Sequence, residues 1–298
     1  MIFMSVFSTL INQLMNGLQS GSVYALVALG YSMVYGIILL LNFAHGDIIM
    51  VGAYTAWFLM VNFGQSPVIA VIFAVITCTI LGVVIEKVAY TPLRKAPRLS
   101  LLITAIGISF LLENLAQLIF GAGARPVPEI VKVPAIVLGS VSLSGTAMVT
   151  IVVSIVSMIL LNLLIKKSKM GKAMRAVSED TGTAQLMGIS VNKTITFTFA
   201  VGSALAGIGS VLYCAAYPQA SPTMGAMLGL KAFVAAVLGG IGSVQGAMIG
   251  GFAIGIAEAA ASAVGLSVWK DAVVFAILIV VLLVKPTGIL GKNLQEKV

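Results

Sequence analysis

Charged residues are scarce in this chain. They make up 9% of its 298 residues, while 60% are hydrophobic, and a soluble domain carries about 25% charged residues. A soluble fold is therefore excluded. Because apolar runs long enough to cross a bilayer recur from end to end, the sequence predicts an all-α fold. We expect a polytopic membrane helical bundle with about 8–10 transmembrane segments and broken or re-entrant helices, forming one domain over residues 1–298.

Groups that carry out catalysis are also missing. The chain has one histidine, scattered carboxylates, and neither a G-x-S-x-G nor an H-E-x-x-H motif. We therefore predict a protein that is not an enzyme and needs no cofactor or metal. The G-x-x-x-x-G-K-[ST] motif is absent as well, so a partner must supply the energy if this chain pumps a solute. Cys78 and Cys214 are far apart, and we expect buried reduced thiols.

Ten apolar segments are predicted along the chain. They cover about 5–19, 21–41, 46–63, 67–86, 99–120, 146–165, 194–213, 225–240, 246–264 and 270–285. The first segment carries several amide side chains and could lie in the membrane interface instead of crossing. The glycine-rich turn "GGIGSVQG" (residues 239–246) separates the eighth segment from the ninth.

The basic residues set the expected orientation. Thirteen of the 17 Lys and Arg lie in the 87–98 loop, the 166–193 loop and the C-terminal tail. If ten segments alternate, all three regions share one side, which the positive-inside rule places in the cytoplasm together with both termini. The 121–145 loop then lies outside, where we expect a structured cap with a short hairpin. The net charge of +8 is explained by the basic residues of these cytoplasmic regions. It therefore gives no reason to expect nucleic acid as a partner.

The cytoplasmic loop 166–193 contains two helical patterns. Asp180 can cap a second short helix, and Gly188 can end it. Apolar positions recur at helical spacing in both halves, at Ala173, Ala176 and Val177 and then at Ala184 and Met187 on one side. A short amphipathic helix beside the membrane has the shape of a docking element. The plainer alternative is a solvated basic loop that only enforces topology.

The stretch "LNFAHGDIIMVGAY" holds the single histidine, His45, close to Asn42 and Asp47. The span count makes it a tight cytoplasmic turn. Alternatively, a helix is broken at residues 44–46 inside the membrane, where irregular backbone must face protein or water and a half-helix N-terminus can face an anionic group. The plainest alternative is that these polar side chains only cap and tie two helix ends. We predict a role in the translocation path or its gate for Asn42, His45, Gly46, Asp47, Gly239, Gly240 and Gly242.

Further charged residues well inside predicted spans are Glu113, Lys231, Glu258 and Asp271. Such residues are costly in the bilayer and are functional candidates, although pairing inside the bundle explains them equally well. Lys231 and Glu258 lie at equal depth on neighbouring antiparallel segments, roughly 9 Å from the outer surface at about 1.5 Å per residue. We therefore predict an intramembrane ion pair between them.

Four stretches of the chain resemble the membrane permeases of branched-chain amino acid ABC importers. They are "YALVALGYSMVYGIILLLNFAHGDIIMVGAY", "GKAMRAVSEDTGTAQLMGISV", "LKAFVAAVLGGIGSVQGAMIGG" and "KPTGILG". The similarity extends from about Gly17 to Gly291. Related sugar permeases are expected to carry a "TGGIDLS"-type segment where this chain has "NFAHGD". The chain most resembles the first of the two homologous permeases of such an importer.

This resemblance implies both a function and a set of partners. The implied function is ATP-driven import of leucine, isoleucine and valine across the bacterial cytoplasmic membrane by alternating access. The implied partners are a second homologous permease, two ATP-binding subunits and an external substrate-binding protein. Residues 172–189 are implied to form a coupling helix that docks on an ATP-binding subunit. The candidate coupling residues are Lys172, Arg175, Glu179, Asp180, Ala184 and Gly188.

Three other functions stay open at this stage. The chain could be the permease of a related ABC importer for urea, short amides or another small solute, which an exchange of the binding protein would reveal. It could be a membrane-embedded enzyme, although the missing catalytic groups count against that class. It could also be a stand-alone secondary transporter, whose transport would survive loss of the ATPase partner.

Overall fold

The computed structural model describes residues 2–39, 41–94, 96–138 and 141–291, so the predicted basic positions Lys95, Lys292 and Lys297 lie outside the described residues. Its helices are α1 Ile2–Ile38, α2 His45–Asn62, α3 Pro67–Ile85, α4 Thr91–Leu93, α5 Arg98–Phe120, α6 Gly145–Lys167, α7 Lys169–Glu179, α8 Thr181–Leu186, α9 Val191–Ala216, α10 Met224–Gly239, α11 Val244–Ala263 and α12 Lys270–Val284. A π-helical stretch, Glu86–Tyr90, joins α3 to α4, and a 3-10 turn, Ser267–Trp269, precedes α12.

Seven helices in the described part of the chain are long and apolar enough to cross a membrane. They are Thr9–Ile38, Pro67–Leu93, Leu99–Phe120, Gly145–Lys167, Val191–Ala216, Val244–Ala263 and Ser267–Val284. The polar start of α2 keeps it outside this set, and the apolar α10 is shorter. These helices confirm the predicted all-α polytopic bundle, because helices satisfy their own backbone hydrogen bonds where lipid offers none.

The first two predicted segments form a single helix. We expected separate segments at 5–19 and 21–41, but α1 runs without a break from Ile2 to Ile38. The residues near the expected boundary serve close packing instead of a turn. A Cβ on Gly17 would lie 2.9 Å from Ala259 Cβ, and one on Gly21 would lie 2.9 Å from Phe252 Cα. Small residues at these positions let α1 and α11 touch backbone to backbone.

The continuous α1 also changes the placement of the chain ends. Gly17 in the first half of α1 lies beside Ala259 near the end of α11, and Gly36 near the other end of α1 lies beside Gly242. Gly291 packs against Gly240 in the same region. Ile2 and Gly291 therefore lie toward opposite ends of the bundle, whereas the sequence analysis expects both termini on one side. The ten predicted segments are even in number, and merging the first two into α1 leaves an odd number.

The two ends of the bundle differ in charge. We call one the basic end, which carries residues 86–94, 96–98, 166–193 and 285–291. We call the other the outer end, which carries residues 63–66, 121–138, 141–145, 217–223 and 264–269. The helices connect these ends alternately, so every described Lys and Arg of the three predicted basic regions lies at one end.

Short strands cover the outer end. They are β1 Arg125–Pro126, β2 Ile136–Leu138, β3 Val141–Leu143 and β4 Gln219–Ala220. β2 and β3 form an antiparallel hairpin in which Ile136 faces Leu143, and this confirms the hairpin predicted in the 121–145 loop. β1 pairs with β4, which joins this loop to the one between α9 and α10. The second pairing had no signal in the sequence, because each strand has only two residues.

Candidate functional site

The α2 helix begins inside the bundle. A Cβ on Gly30 would lie 2.2 Å from His45 Nε2, so the first residue of α2 packs against α1 eight residues before α1 ends. At about 1.5 Å per residue this depth is roughly 12 Å. The whole first turn of α2 is buried. Of the two geometries considered for "NFAHGD", the structure has the helix start within the bundle, with its irregular backbone facing protein.

The polar side chains of this stretch do not cap the helix. Ala44 is the N-cap residue of α2, and no side chain accepts a hydrogen bond there. Asn42 Oδ1 instead accepts a hydrogen bond of 3.0 Å from the Tyr90 hydroxyl in the π-helical stretch. Within the described residues, Asn42 Nδ2 and His45 Nε2 have no hydrogen-bond partner although both are buried. Unpaired buried polar atoms are costly, so these atoms are candidates for contact with water or solute in another state of the bundle.

Glycines allow the start of α2 to cross α10. A Cβ on Gly46 would lie 2.2 Å from the carbonyl oxygen of Gly225, and one on Gly229 would lie 3.0 Å from Gly46 Cα. Asp47, which follows Gly46, is fully buried beside the same crossing. The two backbones are therefore in direct contact, which only small residues permit.

The second predicted glycine group lies elsewhere. Gly239, Gly240 and Gly242 form the turn between α10 and α11 at the basic end. Gly240 has φ +104, a conformation that residues with a side chain rarely adopt. The segment after α12 completes this turn through backbone hydrogen bonds from Ile289 N to Leu238 O and from Leu290 N to Gly239 O. The structure therefore does not bring these glycines together with His45.

The predicted docking loop folds as two short helices at the basic end. Ser168 caps α7 by accepting a hydrogen bond of 2.8 Å from Gly171 N. Asp180 caps α8, as predicted, by accepting hydrogen bonds of 2.8 Å from Gly182 N and 3.3 Å from Thr183 N. Gly188 follows α8 with φ +80, which suits a glycine helix stop.

The side chains of this loop divide into a buried and an exposed set. The buried face of α7 consists of Gly171, Met174 and Val177. Ala184 is also buried, so the expectation that it shares a side with Met187 is wrong. Leu186 and Met187 are 89% and 78% exposed. The other predicted coupling residues, namely Lys172, Arg175, Glu179, Asp180 and Gly188, are exposed.

The predicted ion pair lies at the outer end of the bundle. Lys231 Nζ on α10 is 2.8 Å from Glu258 Oε1 on α11. Lys231 Nζ also lies 2.6 Å from Asp271 Oδ1, and Lys270 Nζ lies 3.4 Å from Glu258 Oε1. The Tyr24 hydroxyl donates a hydrogen bond of 2.6 Å to Glu258 Oε2. Two positive and two negative charges therefore meet in this cluster, and their attraction offsets the cost of burying Lys231 and Glu258.

The sequence analysis missed a second cluster of polar and charged side chains, which surrounds the buried Glu86. Glu86, at the start of the π-helical stretch, is fully buried and paired with Arg94. It also accepts hydrogen bonds of 2.7 Å from Thr91 Oγ1 and 2.8 Å from Thr196 Oγ1. This cluster ties the end of α3 to the start of α9, directly after the α7–α8 loop. Residue 86 ends a predicted span, where a carboxylate can reach water and needs no partner, so no signal in the sequence points to the cluster.

The span-length helices and their charge asymmetry define a multi-pass membrane protein. A family model described as the permease component of a branched-chain amino acid transport system matches residues 13–282. The chain therefore belongs to this family of ABC importer permeases. A permease component is a transport subunit that works with other components of its importer, and it is not itself the enzyme.

Curated relatives cover nearly the whole chain. The high-affinity branched-chain amino acid transport system permease protein LivH of Escherichia coli is 43% identical over 98% of this chain and 99% of its own length. BraD of Pseudomonas aeruginosa, which has the same description, is 42% identical over 97% of this chain and 98% of its own. A probable LivH of Methanocaldococcus jannaschii is 32% identical over 91% of this chain and 89% of its own.

Proposed function

We propose that this chain is the membrane permease subunit of an importer that moves leucine, isoleucine and valine into the cell. The supporting observation is the 43% identity with LivH over nearly the full length of both chains. Residues 1–298 would act as one transmembrane domain. ATP hydrolysis by partner subunits would drive alternating access, and the partners would be a second homologous permease, two ATP-binding subunits and an external substrate-binding protein.

The basic end is proposed to face the cytoplasm of a bacterial cell. Lys and Arg are retained on the cytoplasmic side of membrane proteins, and three basic regions meet at this end. The described C-terminal residues then lie on the cytoplasmic side, and the start of α1 lies outside. The outer end would present the β2–β3 hairpin to the external binding protein.

The α7–α8 loop is proposed to dock on an ATP-binding subunit. Leu186 and Met187 project an apolar tip from a loop of otherwise polar exposed residues. An apolar tip beyond the membrane is costly in water and fits a pocket on a partner protein. Movement of the loop would reach the bundle through the Glu86 cluster. Glu86 directly follows α3, and its carboxylate accepts a hydrogen bond from Thr196 on α9, so the two helices are linked there.

The start of α2 is proposed to form part of the gate. The unpaired His45 Nε2 lies beside Gly30 of α1, next to the crossing of α2 with α10, and the unpaired Asn42 Nδ2 lies three residues before it in the chain. Helix crossings made by glycines can slide without side chains interlocking, so this crossing can move as the bundle opens. The turn at Gly239, Gly240 and Gly242 would stay closed around the segment after α12.

Solute uptake tests the proposed function. The assembled importer is reconstituted in vesicles with ATP, and accumulation of radiolabelled leucine is measured in the presence of its binding protein. We expect ATP-dependent accumulation that unlabelled isoleucine and valine inhibit and urea does not. Accumulation of urea or short amides without leucine would assign the chain to a related importer. Leucine uptake that persists without the ATP-binding subunits would indicate a secondary transporter.

A charge on the apolar tip tests the docking. Leu186→Asp should abolish leucine uptake and the stimulation of ATP hydrolysis, because it places a carboxylate in the proposed pocket. Gln65→Asp adds the same charge to an exposed position at the outer end and should leave both activities unchanged. Cysteine at position 186 should crosslink to an ATP-binding subunit. Normal coupling in the Leu186 variant, with the complex assembled, would contradict docking at this tip.

A further inference from the structure

A polar cavity opens at the outer end of the bundle, between α1, α9, α11 and α12. Its volume is about 310 Å³, which lies within the range of small-molecule sites. One wall carries the amide side chains Gln13, Asn16 and Gln19 of α1, and the other carries Glu258 and Lys270. Amides inside a membrane-spanning helix are retained where they face water, protein or solute and not lipid.

Part of the remaining wall is apolar and made of small residues, and Ser20, Tyr217 and Ser262 complete the lining. Ala216, Gly255 and Ala259 line the apolar part. Because these residues have no long side chains, this wall leaves room for an aliphatic group of a ligand. The cavity therefore combines charge on one side with an apolar face on another, as a site for an amphipathic small molecule does.

The two lysines of the charge cluster are held differently. Lys231 is buried between Glu258 and Asp271, at 2.8 Å and 2.6 Å. The Lys270 ammonium lies 3.4 Å from Glu258 Oε1, and its side chain is 37% exposed. Lys231 therefore fixes the Glu258 carboxylate in place. The contact of Lys270 with Glu258 is longer and more exposed to solvent, so a ligand can replace Lys270 there at low cost.

We propose that this cavity binds the zwitterionic head group of an α-amino acid, inserted between Lys270 and Glu258. The ligand ammonium takes the place of the Lys270 ammonium at Glu258 Oε1, and the ligand carboxylate binds Lys270. Insertion of one positive and one negative charge into an ion pair leaves every charge paired, so the balance of the cluster is kept. The aliphatic side chain of the ligand lies against Ala216, Gly255 and Ala259.

This arrangement discriminates among ligands of the same shape. An amine without a carboxylate would displace Lys270 and leave its ammonium without a partner. A keto acid without an ammonium would bring a carboxylate beside Glu258 with only Lys270 to compensate. A site built on paired charges rejects ligands that leave one of them unpaired. The inference rests on the proposed function, because it takes an amino acid as the transported solute.

Protection of an engineered cysteine tests the site. Ser20 lines the cavity, and the native Cys78 and Cys214 are buried. The assembled importer carrying Ser20→Cys is labelled from outside with a charged methanethiosulfonate, without the binding protein. We expect leucine at millimolar concentration to slow labelling at least fivefold. Isoamylamine and 4-methyl-2-oxopentanoate, which keep the leucine side chain, should slow it less than twofold at the same concentration.

Two controls separate occupancy of the cavity from a change elsewhere. Glu129→Cys lies on the exposed 121–145 loop, and leucine should not protect it. Lys270→Gln should remove the protection of Ser20→Cys by leucine, while Lys270→Arg should keep it because the cation is retained. The comparison of leucine with its amine and keto acid uses the native Lys270, so it decides the question even where Lys270→Gln fails to assemble.

The outcomes also distinguish this site from the proposed function. If the Ser20→Cys importer accumulates leucine but all three ligands protect equally, or none protects, the zwitterion site is overturned and the proposed function stands. If the unaltered importer does not transport leucine, the proposed function fails first. Protection by leucine alone, lost with Lys270→Gln where that variant assembles, supports the site.

Discussion

The Tyr90 hydroxyl donates a hydrogen bond of 3.0 Å to Asn42 Oδ1. This contact joins the π-helical end of α3 to the irregular link before α2, two segments that are 48 positions apart in the chain. Both side chains are buried. The bond therefore fixes the start of α2 on its side nearer the basic end. The proposed docking surface lies at the same end.

Tyr90→Phe removes this hydrogen bond and keeps the ring, which packs 5.2 Å from the Phe199 ring. We expect a loss of about 1 kcal/mol in stability, the usual value of a buried neutral hydrogen bond, seen as a lower unfolding temperature in detergent. Tyr35→Phe, on the half-exposed part of α1, is the matched control and should unfold as the native protein does. Equal unfolding temperatures for the two variants would contradict the assigned bond.

Gly46→Ala should separate α2 from α10. The new methyl group would lie 2.2 Å from the Gly225 carbonyl oxygen, and backbone atoms cannot move aside as a flexible side chain does. We expect a loss of roughly 3 kcal/mol, at the upper end of overpacking costs, together with loss of uptake. Gly107→Ala is the control, because open space surrounds that helical glycine. It should stabilise α5 by roughly 0.5–1 kcal/mol.

Thr196→Val tests the Glu86 cluster. The Thr196 hydroxyl contacts both Glu86 Oε2 at 2.8 Å and the Asn192 carbonyl of its own helix at 3.0 Å. Hydrogen bonds to charged groups contribute about 1.5–3 kcal/mol, so we expect a loss of that size in thermal unfolding. In Thr104→Val only a bond within the helix, to Ser100 O at 2.8 Å, is lost. A similar loss in both variants would mean that the contact with Glu86 adds nothing.

The charge balance at Lys231 predicts a non-additive pair of substitutions. Lys231→Met leaves two carboxylates with Lys270 alone, and breaking a buried pair costs about 3–5 kcal/mol. Adding Asp271→Asn to Lys231→Met restores one positive and one negative charge. The double variant should therefore be more stable than Lys231→Met alone, with a coupling of roughly 1–3 kcal/mol in a double-mutant cycle. Strictly additive losses would show that Lys231 and Asp271 do not interact.

Features with local or depth-based causes could be predicted from the sequence. The Asp180 cap follows from the preference of Asp for helix N-termini. The proximity of Lys231 and Glu258 follows from equal depth on two helices joined by a short turn. The hairpin in the 121–145 loop follows from its β-branched residues between turn formers. Each of these depends on neighbours in the sequence or on the bilayer as a common reference.

Features that depend on distant backbone contacts could not be predicted in this way. The amides and glycines of residues 12–21 resemble a helix boundary, but α1 is continuous there and packs on α11. The depth of His45 depends on Gly30 and on the crossing of Gly46 with Gly225. The Glu86 cluster depends on Thr196, 110 positions away. Glycine spacing shows that helices can approach closely, but it does not show which helices do.

The contact between α1 and α11 also sets the order in which the molecule can be completed. Tyr24 and Glu258 are 234 positions apart in the chain, and chains are synthesised and begin to fold from the N-terminus. The side of α1 that carries Gly17 and Gly21 therefore has no α11 to pack against until translation is almost finished. A chain released before α11 also lacks Glu258, the partner of Tyr24 and Lys231, so the charge cluster at the outer end is among the last contacts to form.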